Sequence, residues 1–223
     1  MTDLLITIDG PAGSGKTTVS RNLADKLGYA YVDTGSLYRG VAYEAKKQGL
    51  AADDDAALER LCARIQLRVV KTAAGTRLFS GDTDISDKLR TPEMSMMASA
   101  VSARKVVRQS LLDIQRQLGA EKRAVFEGRD MGTVVFPEAD IKFFLTADLN
   151  ARAMRRYKEL LEKSGQSLEA VAADMKKRDE NDAARDVAPL KPAADAVMLD
   201  STDLPVEAVI AEMMHWISKK GQP

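Results

Sequence analysis

The chain of 223 residues is poor in several residue types on which protein chemistry often rests. It has one cysteine, Cys62, which excludes an intrachain disulfide framework and a cysteine-rich zinc site. Cys62 falls in a helical pattern and reads as core packing. The one histidine, His215, gives no metal cluster. There is no excess charge of either sign, with 33 Lys plus Arg against 33 Asp plus Glu. No global field therefore favours nucleic acid over other anions, and local clusters must supply any electrostatics. Aromatic residues make up 5% and form no basic, aromatic-interleaved stripe of the kind that stacks bases. No apolar run approaches 18 residues, so no membrane span is expected, and no signal-type segment opens the sequence. What remains, 45% hydrophobic and 30% charged, is the balance of a globular protein with one sizeable core. A cytoplasmic monomer is the expectation.

Against this background one stretch stands out. Gly10-Pro11-Ala12-Gly13-Ser14-Gly15-Lys16-Thr17-Thr18 follows a short apolar run, Leu4 to Ile8, and precedes a helical pattern with Val19, Leu23 and Leu27 on one face. This is the G-x-x-x-x-G-K-[ST] spacing in its strand–loop–helix context. Gly10, Gly13 and Gly15 let backbone N–H groups curl around phosphate oxygens, and the following helix aims its positive end at the same anion. Lys16 is expected at the β- and γ-phosphates of a nucleotide, and the Thr17 hydroxyl on the Mg2+ that accompanies them. A glycine-rich turn that binds nothing is the bland alternative, and spacing, flanks and position all weigh against it.

The rest of the chain alternates strand and helix, which argues a parallel, doubly wound sheet. Strands are expected near 4–8, 29–32, 124–126, 141–145 and 196–199. Helices are expected at 16–27, from Thr34 or Ser36 as cap to about 47, at 54–65, 92–101, 104–118, after Leu145, at 167–181 and at 206–218. Between about 62 and 90 the pattern changes to short alternating runs with a turn at Ala73-Ala74-Gly75, which reads as a small antiparallel lobe inserted in the parallel fold. The last few residues read as a loose tail. In an open parallel sheet ligands bind beyond the carboxyl ends of the strands. The phosphate loop, Asp33-Thr34, Arg129-Asp130 and the loop after Leu145 are all expected at that edge.

A phosphate loop does not say what accepts the phosphoryl group. No N-K-x-D guanine motif and no clear paired acidic strand end are present, which disfavours a GTPase switch and a DNA motor. Arginines at 39, 108, 129, 152, 156, 178 and 185 lie past strand ends or on helix faces. Forked guanidinium groups suit two phosphate-bearing ligands, although most single arginines of this kind are solvated helix charges. Arg129, in a short loop after a buried strand, favours function. Another small-molecule kinase, or a nucleotide-dependent binding protein, stays open on these residues alone.

The stretches ITIDGPAGSGKTT at 6–18, YVDTGSLYRG at 31–40, EGRDMGTVVFPEAD at 127–140, KKRDENDAARDVAPL at 176–190 and AADAVMLDST at 193–202 resemble the bacterial cytidylate kinases of type 1. The resemblance implies a P-loop NTPase fold: an α/β core with a five-stranded parallel sheet flanked by helices, a small inserted β-containing lobe for the nucleoside monophosphate, and a short helical lid. The core would be 1–61 and 91–223, the lid about 150–185 and the lobe 62–90. It implies transfer of the γ-phosphoryl group of ATP to CMP or dCMP in pyrimidine nucleotide metabolism, with Mg2+ as cofactor and no nucleic-acid or membrane partner.

The resemblance also assigns roles. Residues 10–18 would bind ATP. Thr34 would lie beside the cytosine, Arg39 and Arg129 would hold the monophosphate, Asp130 the sugar, and Arg108 the base. Arg178 would contact the acceptor phosphate, and Asp182 and Arg185 the acceptor nucleotide. Arg152 and Arg156 would be lid residues near the donor phosphates. Lys16, Arg129, Arg178, Arg152 and Arg156 would form the catalytic set. Thr17-Thr18 stands where some members have Gly-Thr, which keeps the hydroxyl.

Overall fold

The computed structural model describes residues 3–72, 75–161 and 165–220. Its elements in chain order are β1 (Leu5–Asp9), α1 (Lys16–Leu27), β2 (Ala30–Asp33), α2 (Thr34–Lys47), α3 (Asp55–Cys62), β3 (Leu67–Thr72), β4 (Gly75–Ser80) and β5 (Thr83–Asp84). They continue as α4 (Pro92–Ser102), α5 (Lys105–Gly119), β6 (Ala124–Gly128), β7 (Ile141–Thr146), α6 (Leu149–Leu160), α7 (Leu168–Ala183), β8 (Val197–Asp200) and α8 (Val206–Lys220). The expected Ala73-Ala74 turn, positions 162–164 of the expected lid and the last three residues of the expected tail lie outside the described residues.

Five strands form one sheet in the order β2-β6-β1-β7-β8, and three form a second in the order β3-β4-β5. The ladders of β1 with β6, β1 with β7 and β7 with β8 are parallel, while β3–β4 and β4–β5 are antiparallel. β1 is buried along its whole length and central in its sheet, which is why its sequence is nearly continuous in apolar residues instead of alternating. The chain divides into two compact units, 1–31 with 121–223 and 32–120.

In the larger unit Ile6, Ile8, Val125, Phe143 and Leu145 from the sheet pack with Val19 and Leu23 of α1 and Val209, Ile210 and Met213 of α8. These are the apolar positions that recur at helical spacing, so each helix buries one stripe on the sheet. A separate small cluster joins Ala153 and Leu160 of α6 to Val171 and Met175 of α7, with Ala12 packed against it. The smaller unit has its own core. Leu37, Val41 and Ala45 of α2 meet Leu58 of α3, Leu78 of β4, Met94 and Val101 of α4, and Leu111 of α5. The segment 62–90 holds the antiparallel sheet, and helices on both sides of it in the chain complete this core.

Two glycines separate close backbone packing from backbone strain. Gly10, just past β1, has φ +149°, and a Cβ there would stand 2.0 Å from the Leu145 carbonyl oxygen at the end of β7. Gly28 ends α1 with φ +67°, and open space surrounds the position its Cβ would take. The first combines strain with a clash and the second carries strain alone. Gly10→Ala should therefore lower unfolding free energy by about 3 kcal/mol or more, and Gly28→Ala by about 1–2 kcal/mol. Urea unfolding of the two variants measures both; equal losses would contradict the packing described.

Candidate active site

The carboxyl ends of β1, β6 and β7, three adjacent strands, lead into the phosphate loop, the Arg129-Asp130 loop and the segment before α6. After β1 the chain forms the phosphate loop. Gly13 (φ +74°) lies under α6 and α7, where a Cβ would come within 2.7 Å of Met175 Cε and 3.1 Å of Arg152 Cβ. Gly15 (φ +87°) precedes α1 in the left-handed conformation and supplies no side-chain cap, and the first turn has no acidic residue. This start leaves the first-turn amides and the positive helix end directed at the loop, which is the chemistry of an anion site.

Lys16 is buried, and its Nζ donates to the Pro11 carbonyl at 2.5 Å and to Ser14 Oγ at 3.3 Å. Burial pushes the lysine well below its ordinary pKa, and the nearby charges of Arg129 and Arg178 push the same way, against Glu127 and Asp9. An anion in the loop would relieve that repulsion. The Thr17 hydroxyl donates to Glu127 Oε1 at 2.9 Å. A hydroxyl beside a carboxylate is a hard-oxygen donor pair suited to Mg2+. Among the described residues there is no cluster of three or more His, Cys, Asp or Glu that would hold a metal ion. Thr17 and Glu127 are the residues that would hold a magnesium accompanying bound phosphates.

After β6 come Arg129 and Asp130. Arg129 Nε donates to Asp182 Oδ2 at 2.9 Å, and its NH1 to the Gly128 carbonyl at 3.2 Å. Arg185 donates to the other oxygen of Asp182, from one turn further along the chain. Burial alone would raise the Asp182 carboxyl, but Arg129, Arg185 and Arg178 outweigh it and hold the group below its ordinary value. Burial likewise opposes the charge of Arg129, and Asp182 reverses the balance so that the guanidinium is held more firmly protonated. Asp130 is buried and precedes a π-helical turn, Met131–Val135. Sequence periodicity does not announce that turn, because it is five residues long and lacks an amphipathic repeat.

The two basic positions of α6 differ. Arg152 is buried and donates to Ala147 O, Ala12 O and Asp179 Oδ2 at 2.8, 3.1 and 2.5 Å, so it braces the phosphate loop from behind. Arg156 pairs with Glu159 on the helix surface. Arg155, to which the sequence reading gave no role, donates to Ser201 Oγ and to the Ser201 and Thr202 carbonyls. Ser201 Oγ in turn lies 3.0 Å from the Ser14 carbonyl. The segment after β8 thereby buttresses the phosphate loop. These contacts span more than forty residues of chain, and no local spacing reveals them.

In the smaller unit Thr34 is buried at the start of α2. The expected cap at Thr34 or Ser36 is corrected: Asp33 caps α2, its Oδ1 accepting the Ser36 amide at 3.1 Å. Its Oδ2 accepts from Arg39 NH2 at 2.6 Å. Aspartate does both jobs because it has two acceptor oxygens, where a hydroxyl would satisfy only the amide. Gly35 leaves room for this pair, since a Cβ there would lie 3.3 Å from Arg39 NH1. Arg108 is buried, donates to the Ser102 carbonyl at 3.1 Å and stands 5.4 Å over the Tyr38 ring. Burial and a cation–π contact fix its guanidinium in one place.

A glycine-bent phosphate loop at the end of a central parallel strand, with a buried lysine and an arginine-rich neighbourhood, defines a P-loop protein of small-kinase architecture. Solved structures agree on the fold. The chain aligns over its whole length with 97% of a shikimate kinase from Acinetobacter baumannii, at TM-score 0.52 and 14% identity. It also aligns over 98% of its length with 99% of an uncharacterized protein from Eubacterium ventriosum, at TM-score 0.53 and 15% identity.

Sequence comparison narrows the class. The cytidylate kinase family model matches residues 6–219. A cytidylate kinase of Geobacter sulfurreducens is 47% identical, with 94% of this chain and 91% of the relative covered. One of Syntrophotalea carbinolica is 44% identical, covering 98% and 94%. The chain belongs to the cytidylate kinase family.

Asp182 gives a pH test. Its folded-state value lies below the ordinary 3.8, so its contribution is present above about pH 4 and is lost as pH falls through the folded value. Asp182→Asn should cost about 3 kcal/mol at pH 7, because it leaves the half-buried Arg129 and Arg185 without the charge of their buried partner. The gap between wild type and variant in thermal unfolding should narrow below pH 4. A gap that stays constant into acid would show that the charge of Asp182 is not what stabilises this cluster.

Proposed function

We propose that the protein transfers the γ-phosphoryl group of ATP to CMP or dCMP, giving ADP and CDP or dCDP (EC 2.7.4.25). Family membership supports the reaction, and one structural observation supports its site most strongly. Arg129 and Arg185 share a buried carboxylate, Asp182, and Arg129 lies close enough to Lys16 to lower its pKa. A site for a single anion does not need a pair of guanidinium groups beside the phosphate-loop lysine. A site that joins two phosphates does.

Residues 10–18 bind the donor. Backbone amides of the loop and the start of α1 take the β- and γ-phosphate oxygens, and Lys16 leaves its own loop carbonyl for them. Thr17, beside Glu127, would hold magnesium, which would supply charge neutralisation on those phosphates. Arg129, Arg178 and Arg39 hold the acceptor phosphate, and Asp130 holds the sugar. Thr34, Arg108, Asp182 and Arg185 read the cytosine edge. An oxygen of the CMP phosphate attacks the γ-phosphorus. The bond from that phosphorus to the β–γ bridging oxygen breaks, and the electron pair leaves with ADP. A phosphate monoester is a sufficient nucleophile near neutral pH, so no histidine or cysteine is needed. Catalysis is alignment and electrostatic stabilisation by Lys16 and the arginines. Arg152 and Arg156 add positive charge from the lid helices, Arg152 through the loop it braces. The protein acts as a cytoplasmic monomer on small nucleotides, with neither nucleic acid nor membrane as partner.

Coupled ADP formation with ATP, Mg2+ and a panel of CMP, dCMP, UMP, AMP and GMP tests the reading. CMP and dCMP should be the best acceptors. UMP should be poorer, because O4 replaces the amino donor and leaves polar groups of the site unpaired. Lys16→Ala should lower kcat by about 100-fold or more. Arg129→Ala should raise the KM for CMP by about 10- to 100-fold, the worth of hydrogen bonds to a charged group. Equal specificity constants for CMP and UMP, or wild-type CMP kinetics in folded Arg129→Ala, would overturn the acceptor assignment.

A further inference from the structure

Asp9 is the last residue of β1, and its side chain is almost wholly buried. It lies level with Gly128 in the β1–β6 ladder, so each chain leaves the sheet at the same height. One chain continues as Gly10 and the phosphate loop. The other continues as Arg129 and Asp130. The two carboxylate oxygens of Asp9 accept the backbone amides of Met131 and Gly132, at 2.9 and 2.8 Å. Those amides open the π-helical turn directly after Arg129-Asp130. Gly132 permits the approach, because a Cβ there would stand 3.1 Å from Thr7 Oγ1 and Lys142 Cδ.

Only a carboxylate satisfies this arrangement. Two N–H donors arrive at two oxygens of one planar group, and an amide would turn its NH2 towards one of them. Holding the carboxylate there is costly. Burial raises Asp9 to about pKa 6, in spite of its two amide partners and the charge of Lys16. A buried acid kept at such a cost, at the junction of two functional loops, fits a role in function better than one in folding alone.

We propose that Asp9 is a positioning residue for phosphoryl transfer: its carboxylate fixes the Arg129-Asp130 loop in register with the phosphate loop, and so aligns acceptor with donor. This rests on the reading of Arg129 and Asp130 as acceptor ligands. The phosphate loop is shaped by its own glycines and by Arg152 and Ser201, so it keeps its form without Asp9. Asp182 holds the side chain of Arg129, whereas Asp9 holds the backbone that follows Asp130.

The test is steady-state kinetics of Asp9→Asn with ATP and CMP varied in turn, beside thermal unfolding. The expected result is a split. The KM for CMP rises and kcat falls, each by about 10-fold, while the KM for ATP changes less than about threefold. Gly132→Ala displaces the same amide with Asp9 intact and should give the same split more weakly. It decides the question if Asp9→Asn does not fold. Arg129→Ala serves as the control. If Arg129→Ala impairs CMP use while folded Asp9→Asn and Gly132→Ala keep wild-type kinetics, Asp9 is a structural tie only and the proposal is wrong. If Arg129→Ala is itself without effect on CMP, the acceptor reading fails and takes the proposal with it. Equal losses for ATP and CMP in Asp9→Asn would also overturn it, since they would mean a general collapse of the site.

Discussion

The structure has to keep several cations together in a buried place, and much else follows from that constraint. Burial depresses Lys16 most, and the charges of Arg129 and Arg178 push it further down. Unpaired, each buried charge would cost several kcal/mol. Asp182 answers Arg129 and Arg185, Asp179 answers Arg152, and Glu127 and Asp9 lie close enough to Lys16 to oppose the repulsion. The surface pairs Lys46–Glu93 and Arg68–Asp82, exposed to solvent and screened by it, contribute little by comparison.

The apolar framework makes such a concentration of charge tolerable. β1, β6 and β7 are buried along nearly all their length and packed by α1 and α8, so their ends are rigid points from which short loops can project. α6 and α7 hold each other through their own small cluster and press Met175 and Arg152 on Gly13. In the smaller unit the same logic is repeated on a helix. α2 is anchored by Leu37, Val41 and Ala45, and Asp33 at its start both caps it and aims Arg39.

Features set by local spacing could be read from the sequence. The phosphate loop, the alternation of strand and helix, and the antiparallel runs after residue 66 all leave a periodic or motif-length trace. Asp182 and Arg185 also stand only three residues apart. What the sequence did not disclose is tertiary. Arg129 finds Asp182 fifty-three residues away, and Arg155 finds Ser201 forty-six away. Asp9 was hidden because it reads as the polar end of an apolar strand, and its partners are backbone amides, which have no sequence signature. The cap at Asp33 was missed because three capping residue types stand together and only geometry separates them. The extent of the smaller unit was also hidden, since its core is built from helices on both sides of the antiparallel segment.

We infer that the half-buried arginines beside Asp182 serve to hold an acceptor phosphate. Calorimetric titration of the protein with CMP and with cytidine, at two salt concentrations, tests it most directly. CMP should bind at least about 100-fold more tightly than cytidine, a difference of roughly 3 kcal/mol, and the advantage should shrink with salt. Equal affinity for the nucleoside and the nucleotide would contradict the account, because it would leave the arginine–carboxylate cluster without a phosphate to bind.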